Sequence, residues 1–188
     1  MWLTRAAGIE GIRGRPPCVN ITVPDPSLVF LVGPSGSGKS TFAARHFRPT
    51  EIVSSDEARA LVTDDENDQA ATPAAFRIVH TIIRERLRAR RLAVVDATNV
   101  KSESRKPLIA LARKRNIPAI AIVFDLPEAL CLKRNQGRAA RSLTADVIHR
   151  QRVEMERSMS GLQSEGFQRV YRLDSPEAVE SAVVLRVP

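Results

Sequence analysis

A glycine-rich loop between a strand pattern and a helix pattern constrains this chain more than any other feature. Residues 27–32 (Ser-Leu-Val-Phe-Leu-Val) predict a buried strand, and residues 40–45 (Ser-Thr-Phe-Ala-Ala-Arg) predict the first turns of a helix. Between them, residues 33–40 match G-x-x-x-x-G-K-S, the phosphate-binding loop pattern. A flexible glycine-serine linker shares this composition, but such a linker is not flanked by a strand and a helix. The loop therefore predicts binding of a nucleoside triphosphate.

The residue types in this loop match the chemistry of phosphate binding. Its glycines let the backbone curl so that successive N–H groups point at phosphate oxygens above a helix N-terminus. Lys39 is predicted to reach the β- and γ-phosphates, and the Ser40 hydroxyl to ligate Mg²⁺. The predicted nucleotide-binding residues are Gly33, Pro34, Ser35, Gly36, Ser37, Gly38, Lys39, Ser40 and Thr41.

Length and composition bound the class of protein. The chain has 188 residues, enough for one domain with a proper core, and no apolar run long enough to span a membrane. It has no signal-peptide pattern, and Cys18 and Cys131 match no metal spacing, which favours the cytoplasm. The net charge is +8, and 24 of the 29 basic residues are arginine. That excess suits a polyanionic partner, although an arginine-rich genome explains it equally well.

After the loop, strand and helix patterns alternate, which predicts an α/β fold with a parallel sheet of about five strands and helices on both faces. Residues 19–23 suggest an additional edge strand that turns into the phosphate-loop strand. A helix is predicted over 176–183. Residues 1–17, rich in glycine and proline, suggest a flexible arm before a phosphate-loop (P-loop) kinase domain over 18–188. In such sheets, ligands bind at the carboxyl ends of the strands.

Two predicted strands end in aspartate. Asp56 follows the strand at 51–54, where a carboxylate would lie beside the γ-phosphate as a general base, and Arg59 lies on the same helix face to hold an acceptor. The alternative is that Asp56 or Ser55 only caps the helix. Asp96 closes the strand at 92–95 and is predicted to bind Mg²⁺. After it, Thr98 and Asn99 either orient substrate or cap the next helix.

Two arginine-rich segments stand out later in the chain. Arg134, Arg138 and Arg141 flank a glycine and predict a lid over about 134–145 that places guanidinium groups on phosphate oxygens. A solvated helix end is the alternative. The second segment, residues 84–91, either tracks a nucleic-acid backbone or forms an ordinary solvated face, and the second interpretation is favoured.

Taken together, these motifs resemble the kinase domain of bacterial polynucleotide kinase-phosphatase, within the polynucleotide-kinase-like group of P-loop phosphotransferases. The resemblance covers roughly residues 19–188. It rests on segments that appear in the family's order: 33–44, 53–56, 64–69, 94–99, 122–127 and 134–135.

The resemblance implies transfer of the γ-phosphate of ATP or another nucleoside triphosphate to the 5′-hydroxyl of an RNA or DNA end. It implies that Asp56 is the general base, that Arg59 grips the acceptor's 3′-phosphate, and that Arg134, Arg138 and Arg141 are the lid arginines. It also implies that residues 174–176 enclose the nucleobase. Family members often continue into further end-healing modules, so such modules or a homodimer are the expected partners in RNA repair.

Two other functions remain open on the same scaffold. One is a small-molecule kinase that acts on a sugar acid, an antibiotic or a nucleotide sugar. The other is a regulatory ATPase without a phosphoryl acceptor. Arg59 discriminates weakly against the first, because an acceptor without a phosphate gives this arginine less to hold.

Overall fold

Seven strands and seven α-helices make up the part of the chain that the computed structural model describes, residues 19–137 and 143–188. The strands are β1 (Asn20–Pro24), β2 (Leu28–Val32), β3 (Ile52–Ser54), β4 (Ala93–Asp96), β5 (Ala119–Phe124), β6 (Arg169–Leu173) and β7 (Val183–Val187). The helices are α1 (Lys39–His46), α2 (Ser55–Thr63), α3 (Thr72–Arg88), α4 (Ser102–Lys114), α5 (Glu128–Gln136), α6 (Ala145–Met159) and α7 (Pro176–Ser181). The predicted arm over 1–17, and Arg138 and Arg141 of the predicted lid, lie outside the described residues.

Five parallel strands form the main sheet in the order β3-β4-β2-β5-β6, which confirms the predicted fold class. β2 lies at the centre because the chain places β3 and β4 on one side of it and β5 and β6 on the other. All five strands point the same way, so they all begin at one end of the sheet and all finish at the other. We call the end where the strands finish the carboxyl edge and the end where they begin the amino edge.

β2 and β5 are apolar at every position because helices cover both faces of the sheet. Phe30 of β2 faces one core with residues of α2, α3, α4 and α6, and its ring meets Phe167 edge-on at 5.3 Å. Its neighbours Val29 and Leu31 point to the opposite core, where Phe42 of α1 meets Phe124 at the same centroid distance. Burying one such aromatic side chain contributes about 1.5–3 kcal/mol. Among the described helices, none has the length and apolar character needed to cross a membrane.

The chain end departs from the prediction. The helix predicted over 176–183 stops at Ser181, and β7 follows it. β7 pairs with β1 in a separate two-stranded parallel sheet, with Asn20 opposite Val183. The predicted edge strand at 19–23 therefore exists, but its partner is β7 and not the main sheet. β-branched residues at 183 and 184 favour extended backbone, and the partner strand satisfies their peptide groups.

Candidate active site

Glycines shape the phosphate-binding loop at the carboxyl edge of β2. Gly36 and Gly38 have φ angles of 81° and 94°, a region that suits glycine, and Gly38 is the residue before the first turn of α1. A Cβ on Gly36 would lie 2.3 Å from the carbonyl oxygen of Cys131 in α5. The loop backbone therefore packs directly on α5, where Cys131 is fully buried and burial raises the pKa of its thiol.

Side chains from inside and outside the loop satisfy its polar groups. The Lys39 ammonium donates to the carbonyl oxygen of Pro34 at 2.8 Å and to the Ser37 hydroxyl at 3.4 Å, so it lies across the loop. The backbone N–H of Ser35 donates to the amide oxygen of Gln151 in α6 at 2.8 Å. The loop therefore contacts both α5 and α6, and the Lys39 ammonium lies across it.

The segment after β4 supports the loop from below. The N–H of Gly33 donates to the carbonyl oxygen of Thr98 at 2.9 Å. The buried amide of Asn99 donates to the carbonyl oxygens of Leu31 at 2.8 Å and Val95 at 3.1 Å, which ties β2 to β4. The prediction that Asn99 caps the next helix is wrong, because Lys101 is the residue that precedes α4.

A buried ion pair holds Asn99 in turn. The fully buried guanidinium of Arg105 donates to the backbone carbonyl oxygen of Asn99 at 2.6 Å and forms two hydrogen bonds with the Glu165 carboxylate. The Ser158 hydroxyl donates to the carbonyl oxygen of Val100 at 2.7 Å. α4, the end of α6 and the segment after β4 are therefore locked together beneath the loop.

Asp56 lies in the first turn of α2 at the carboxyl edge of β3. The alternative that Asp56 or Ser55 caps this helix is wrong, because the Ser54 hydroxyl accepts from the N–H groups of Asp56 at 3.2 Å and Glu57 at 3.3 Å. The Asp56 carboxylate instead forms an ion pair with Arg59 and accepts from the Ser55 hydroxyl at 3.3 Å. It lines the same cavity as Lys39.

Arg59 is 5% exposed and is held from two sides. Its Nη2 pairs with Asp56, and its Nε donates to the backbone carbonyl oxygen of Glu66 at 2.8 Å. Burial lowers the pKa of Arg59, an effect that the nearby Glu66 carboxylate opposes, and the side chain keeps its charge. The acidic segment 64–68 thus adjoins the site through a main-chain contact.

A cavity of about 420 Å³ brings most of the predicted site residues together. The predicted residues that line it are Ser35, Gly36, Gly38, Lys39, Ser40, Asp56, Arg59, Asp96 and Thr98. Gly33, Pro34, Ser37 and Thr41 do not line it. Arg134 is not in its lining either, but Nη1 of Arg134 lies 3.6 Å from where a Cβ on Gly38 would be.

The other walls of the cavity contain residues that the sequence interpretation missed. They come from the segment before α3 and from α3, from the segment after β4, and from α6: Gln69, Thr72, Phe76, Lys101, Val147, Arg150, Gln151 and Glu154. Leu143, which also lines the cavity, lies within the range of the predicted lid. In α6 the signal was a set of residues at intervals of three and four, which share one helix face. Local sequence patterns do not predict that this face of α6 packs over the phosphate-binding loop.

The residues predicted to hold Mg²⁺ fit that ion. The Ser40 hydroxyl and the Asp96 carboxylate line one cavity beside the loop, and both are hard oxygen donors. Within residues 19–137 and 143–188, no group of three or more His, Cys, Asp or Glu side chains could hold a metal. That donor set suits Mg²⁺, which binds through one or two protein oxygens plus phosphates and water.

The predicted nucleobase segment, residues 174–176, follows β6 at the same edge of the sheet. The Ser175 hydroxyl accepts from the N–H of Ala178 at 3.1 Å and so caps α7. None of the three residues lines the cavity.

A parallel sheet, a glycine loop on a helix N-terminus and a lysine at that helix start define a P-loop nucleotide-binding protein of the kinase type. Residues 28–162, well over half of the chain, match the AAA domain family. The chain therefore belongs to that family. Among curated proteins, none matches the sequence.

Solved structures support the same fold. The chain is similar to a protein chain in a structure of the Pnkp1/Rnl/Hen1 RNA repair complex, with 24% identity, a TM-score of 0.63 and coverage of 72% of this chain. It spans only 45% of that longer chain. A second structure of the Pnkp1/Rnl/Hen1 complex gives 29% identity and a TM-score of 0.50, over 58% of this chain and 38% of the other. A gluconokinase from Sinorhizobium meliloti gives 19% identity and a TM-score of 0.53, over 85% of this chain and 90% of its own.

Proposed function

We propose that this protein is a 5′-hydroxyl polynucleotide kinase, which transfers the γ-phosphate of ATP or another nucleoside triphosphate to the 5′-end of RNA or DNA. The observation that carries the proposal is the cavity shared by Lys39, Asp56 and Arg59. It joins a phosphate-binding lysine, a carboxylate and a second cation at the edge of the sheet where ligands bind in this class of fold.

Asp56 is the residue that we propose as the general base, because its carboxylate lines the cavity with Lys39. The Ser54 hydroxyl satisfies the backbone at the start of α2, so capping does not occupy the Asp56 carboxylate. In our proposal this carboxylate accepts the proton of the attacking 5′-hydroxyl as the alcohol approaches the γ-phosphorus in line. Arg59 contacts the same carboxylate and keeps it oriented toward the cavity.

The charge that develops on the transferred group needs cations around it. Lys39 supplies one from the loop, and Arg134, whose guanidinium lies beside Gly38, supplies another. We propose that Arg134 acts with Arg138 and Arg141 as a lid over residues 134–145 of a kinase domain that covers 18–188. When bound, Mg²⁺ held by Ser40 and Asp96 would neutralise charge on the β- and γ-phosphates.

Further residues in the cavity lining favour an acceptor of nucleotide size. Phe76 of α3 is half-buried in it, and an aromatic ring offers a stacking surface to any nucleobase. Arg150 of α6 and Lys101 add cations to the lining of the same cavity. In Arg59, Nε and Nη2 contact protein, and Nη1 has no hydrogen bond to any residue within the described ranges. We propose that Nη1 contacts the acceptor's 3′-phosphate.

The likeness to a chain of the Pnkp1/Rnl/Hen1 RNA repair complex supports this acceptor class and favours RNA. This chain spans less than half of that one, and we propose further end-healing modules or a homodimer as its partners. The likeness to a gluconokinase supports the second candidate, a small-molecule kinase. An unphosphorylated sugar acid would leave Arg59 and the Phe76 wall with little to bind, which is why we rank this candidate second.

The test is an acceptor panel with γ-labelled ATP and Mg²⁺. It compares a 5′-hydroxyl oligoribonucleotide, its deoxy counterpart, the same oligonucleotides already carrying a 5′-phosphate, and gluconate. We expect label on both 5′-hydroxyl oligonucleotides, with more on RNA, and none on the 5′-phosphorylated ones.

Each result of this panel has one meaning. Label on gluconate alone would reject the polynucleotide assignment and establish the second candidate. Label on 5′-phosphorylated ends would show that the hydroxyl at the 5′ position is not the acceptor. Release of phosphate without any labelled acceptor in the panel would contradict the proposal in favour of an ATPase.

A further inference from the structure

Cations gather at the amino edge of the main sheet, on the side away from the cavity. Four of its five strands have basic residues within the six positions before them or at their first position: Arg48 before β3, Arg90 and Arg91 before β4, Arg113, Lys114 and Arg115 before β5, and Arg169 at the start of β6. The last turn of α1 adds Arg45. All of these except the half-buried Arg115 are exposed. We call Arg45, Arg48, Arg90, Arg91, Arg113, Lys114 and Arg169 the amino-edge cations.

The acidic residues at this edge do not neutralise the amino-edge cations. Arg186 of β7 forms ion pairs with both Glu51 and Asp25, and Arg86, which is not one of the seven, interacts electrostatically with the same two carboxylates. None of the seven amino-edge cations forms an ion pair with a carboxylate of residues 19–137 or 143–188. All seven residues are exposed, although Arg48 interacts electrostatically with Glu51 and Nη1 of Arg169 donates to the Tyr171 hydroxyl at 3.3 Å.

The turn after α3 presents its arginines in an ordered way. The Arg86 guanidinium donates to the carbonyl oxygen of Leu92 at 2.9 Å and 2.7 Å, and the N–H of Arg91 donates to the carbonyl oxygen of Arg86 at 2.9 Å. Arg48 and Arg91 line one polar cavity of about 220 Å³ together with Arg86 and the carboxylates of Asp25 and Glu51. These hydrogen bonds hold the backbone of the turn that carries Arg90 and Arg91 in a defined conformation.

The spacing of these cations suits a phosphate chain. Arg91 precedes β4 and Lys114 precedes β5, with only β2 between those strands, which places the two strand starts about 10 Å apart. From β3 to β6 the amino edge spans four strand intervals, or about 19 Å. The phosphates of one strand of a duplex are spaced by ~3.4 Å along the helix axis, so an edge of this length lies beside about five or six of them.

Helix ends alone do not explain this surface. Basic residues in the last turn of a helix compensate its dipole, and that accounts for cations such as Arg45 and Arg113. Arg48, Arg90 and Arg91 lie beyond the ends of α1 and α3, and Arg169 starts a strand. The positive charge of these four arginines is therefore not explained by compensation of a helix dipole.

We propose that the amino edge is a second nucleic-acid surface, which holds the phosphate backbone of RNA or DNA away from the cavity. The proposal goes beyond the kinase function and does not need it, because backbone binding is independent of a 5′-end. Nucleic acid fits better than an acidic protein because the cations are mostly arginines in a row along one edge, which matches a regular line of phosphates. Under this proposal Arg90 and Arg91, at the C-terminal end of segment 84–91, contact nucleic acid. That is the interpretation which the sequence analysis did not favour for this segment.

The test uses a ligand that has no end to enter the cavity. The probe is a closed single-stranded oligonucleotide circle of about 40 nucleotides, longer than the roughly 4–16 nucleotides that one small binding domain covers. Arg91→Gln with Lys114→Gln is the amino-edge variant. Arg77→Gln with Lys106→Gln removes the same charge from exposed positions on α3 and α4 that lie away from the amino edge and is the matched control.

We expect the amino-edge variant to weaken binding of the circle on the order of tenfold at 0.1 M salt. The slope of log K against log salt should shrink by about 1.4, or 0.7 for each single-strand phosphate that the variant no longer neutralises. The control should keep the wild-type slope. Thermal unfolding of both variants checks that the fold is intact.

Three outcomes would overturn the proposal. The first is equal weakening by the amino-edge variant and the control, which would indicate a diffuse charge effect. The second is unchanged binding by the amino-edge variant. The third is that vesicles of anionic lipid or a poly-glutamate chain displace the circle at matched charge concentration, which would assign the surface to a membrane or to an acidic protein.

Discussion

The two edges of the main sheet handle charge in opposite ways. At the carboxyl edge, cations and carboxylates lie together and largely buried: Arg59 with Asp56, and Arg105 with Glu165 beneath the loop. At the amino edge, cations such as Arg91 and Lys114 stand in solvent. Charges in a low-dielectric site act strongly at short range, whereas exposed charges are screened by salt. We therefore expect the carboxyl edge to be suited to chemistry and the amino edge to holding a polyanion.

The largest effect we expect is on stability, and it tests the buried side of this comparison. Glu165→Leu leaves the fully buried Arg105 without its carboxylate, and breaking one half of a buried pair costs about 3–5 kcal/mol. Urea unfolding should show this loss in the free energy of unfolding. Arg105→Met combined with Glu165→Leu should recover most of it, because no buried charge remains. Equal losses in the single and double variants would contradict the claim that the unpaired charge is the cause.

The next effect is on nucleotide binding. Gly36→Ala puts a Cβ at a φ of 81° and within 2.3 Å of a backbone oxygen of α5, so the loop must shift. We expect at least a 100-fold loss in affinity for a fluorescent ATP analogue, or about 2.7 kcal/mol. Gly161→Ala is the matched control, because its Cβ would meet only an atom 3.9 Å away. Wild-type affinity in the Gly36 variant would show that the loop is not the nucleotide site.

A smaller effect should separate the acceptor from the nucleotide. Arg59→Gln removes the charge-assisted contact that we propose for the acceptor's phosphate, and such bonds contribute about 1.5–3 kcal/mol. Steady-state kinetics should show KM for the oligonucleotide rising roughly 10- to 100-fold, with KM for ATP changed less than threefold. Equal increases in both KM values would mean that Arg59 serves the nucleotide or the whole site.

The smallest effect concerns the amino edge during catalysis. β5 is six residues long, so the two edges are about 20 Å apart, and a dinucleotide acceptor held in the cavity cannot reach the amino-edge cations. Arg91→Gln with Lys114→Gln should leave kcat/KM for a dinucleotide within about twofold of wild type, while kcat/KM for a long oligonucleotide falls. A drop for the dinucleotide would mean that the two edges do not act separately.

The sequence predicted the features that depend on neighbouring residues. The loop directly follows β2, Asp96 is the last residue of β4, and Asp56 comes two residues after β3; strand ends meet at one edge of a parallel sheet. For this reason the fold class and the residues around one wall of the cavity could be inferred from local patterns. Capping was less certain, since Ser54, Ser55 and Asp56 are all suitable capping residues and only backbone geometry selects Ser54.

Features that depend on distant pairing could not be predicted. β7 contacts β1, with Asn20 opposite Val183, and short strands lack a signal for their partner. The side-chain amide of Asn99 donates a hydrogen bond to the carbonyl oxygen of Leu31, which lies 68 residues earlier. Likewise, Gln151 of α6 reaches the N–H of Ser35 only because the helix docks over the loop. Each of these contacts follows from tertiary packing and has no counterpart in local sequence.

The most direct test of the account is the single-turnover rate of Asp56→Asn with ATP and a 5′-hydroxyl oligonucleotide, measured beside its affinity for ATP. The carboxylate of Asp56 lines the cavity with Lys39, and asparagine keeps its shape while removing its capacity to accept a proton. We predict that the rate of phosphoryl transfer falls by about 10²- to 10⁴-fold while ATP binds as in the wild type. Transfer at the wild-type rate would contradict the central claim that Asp56 activates the acceptor hydroxyl at the carboxyl edge.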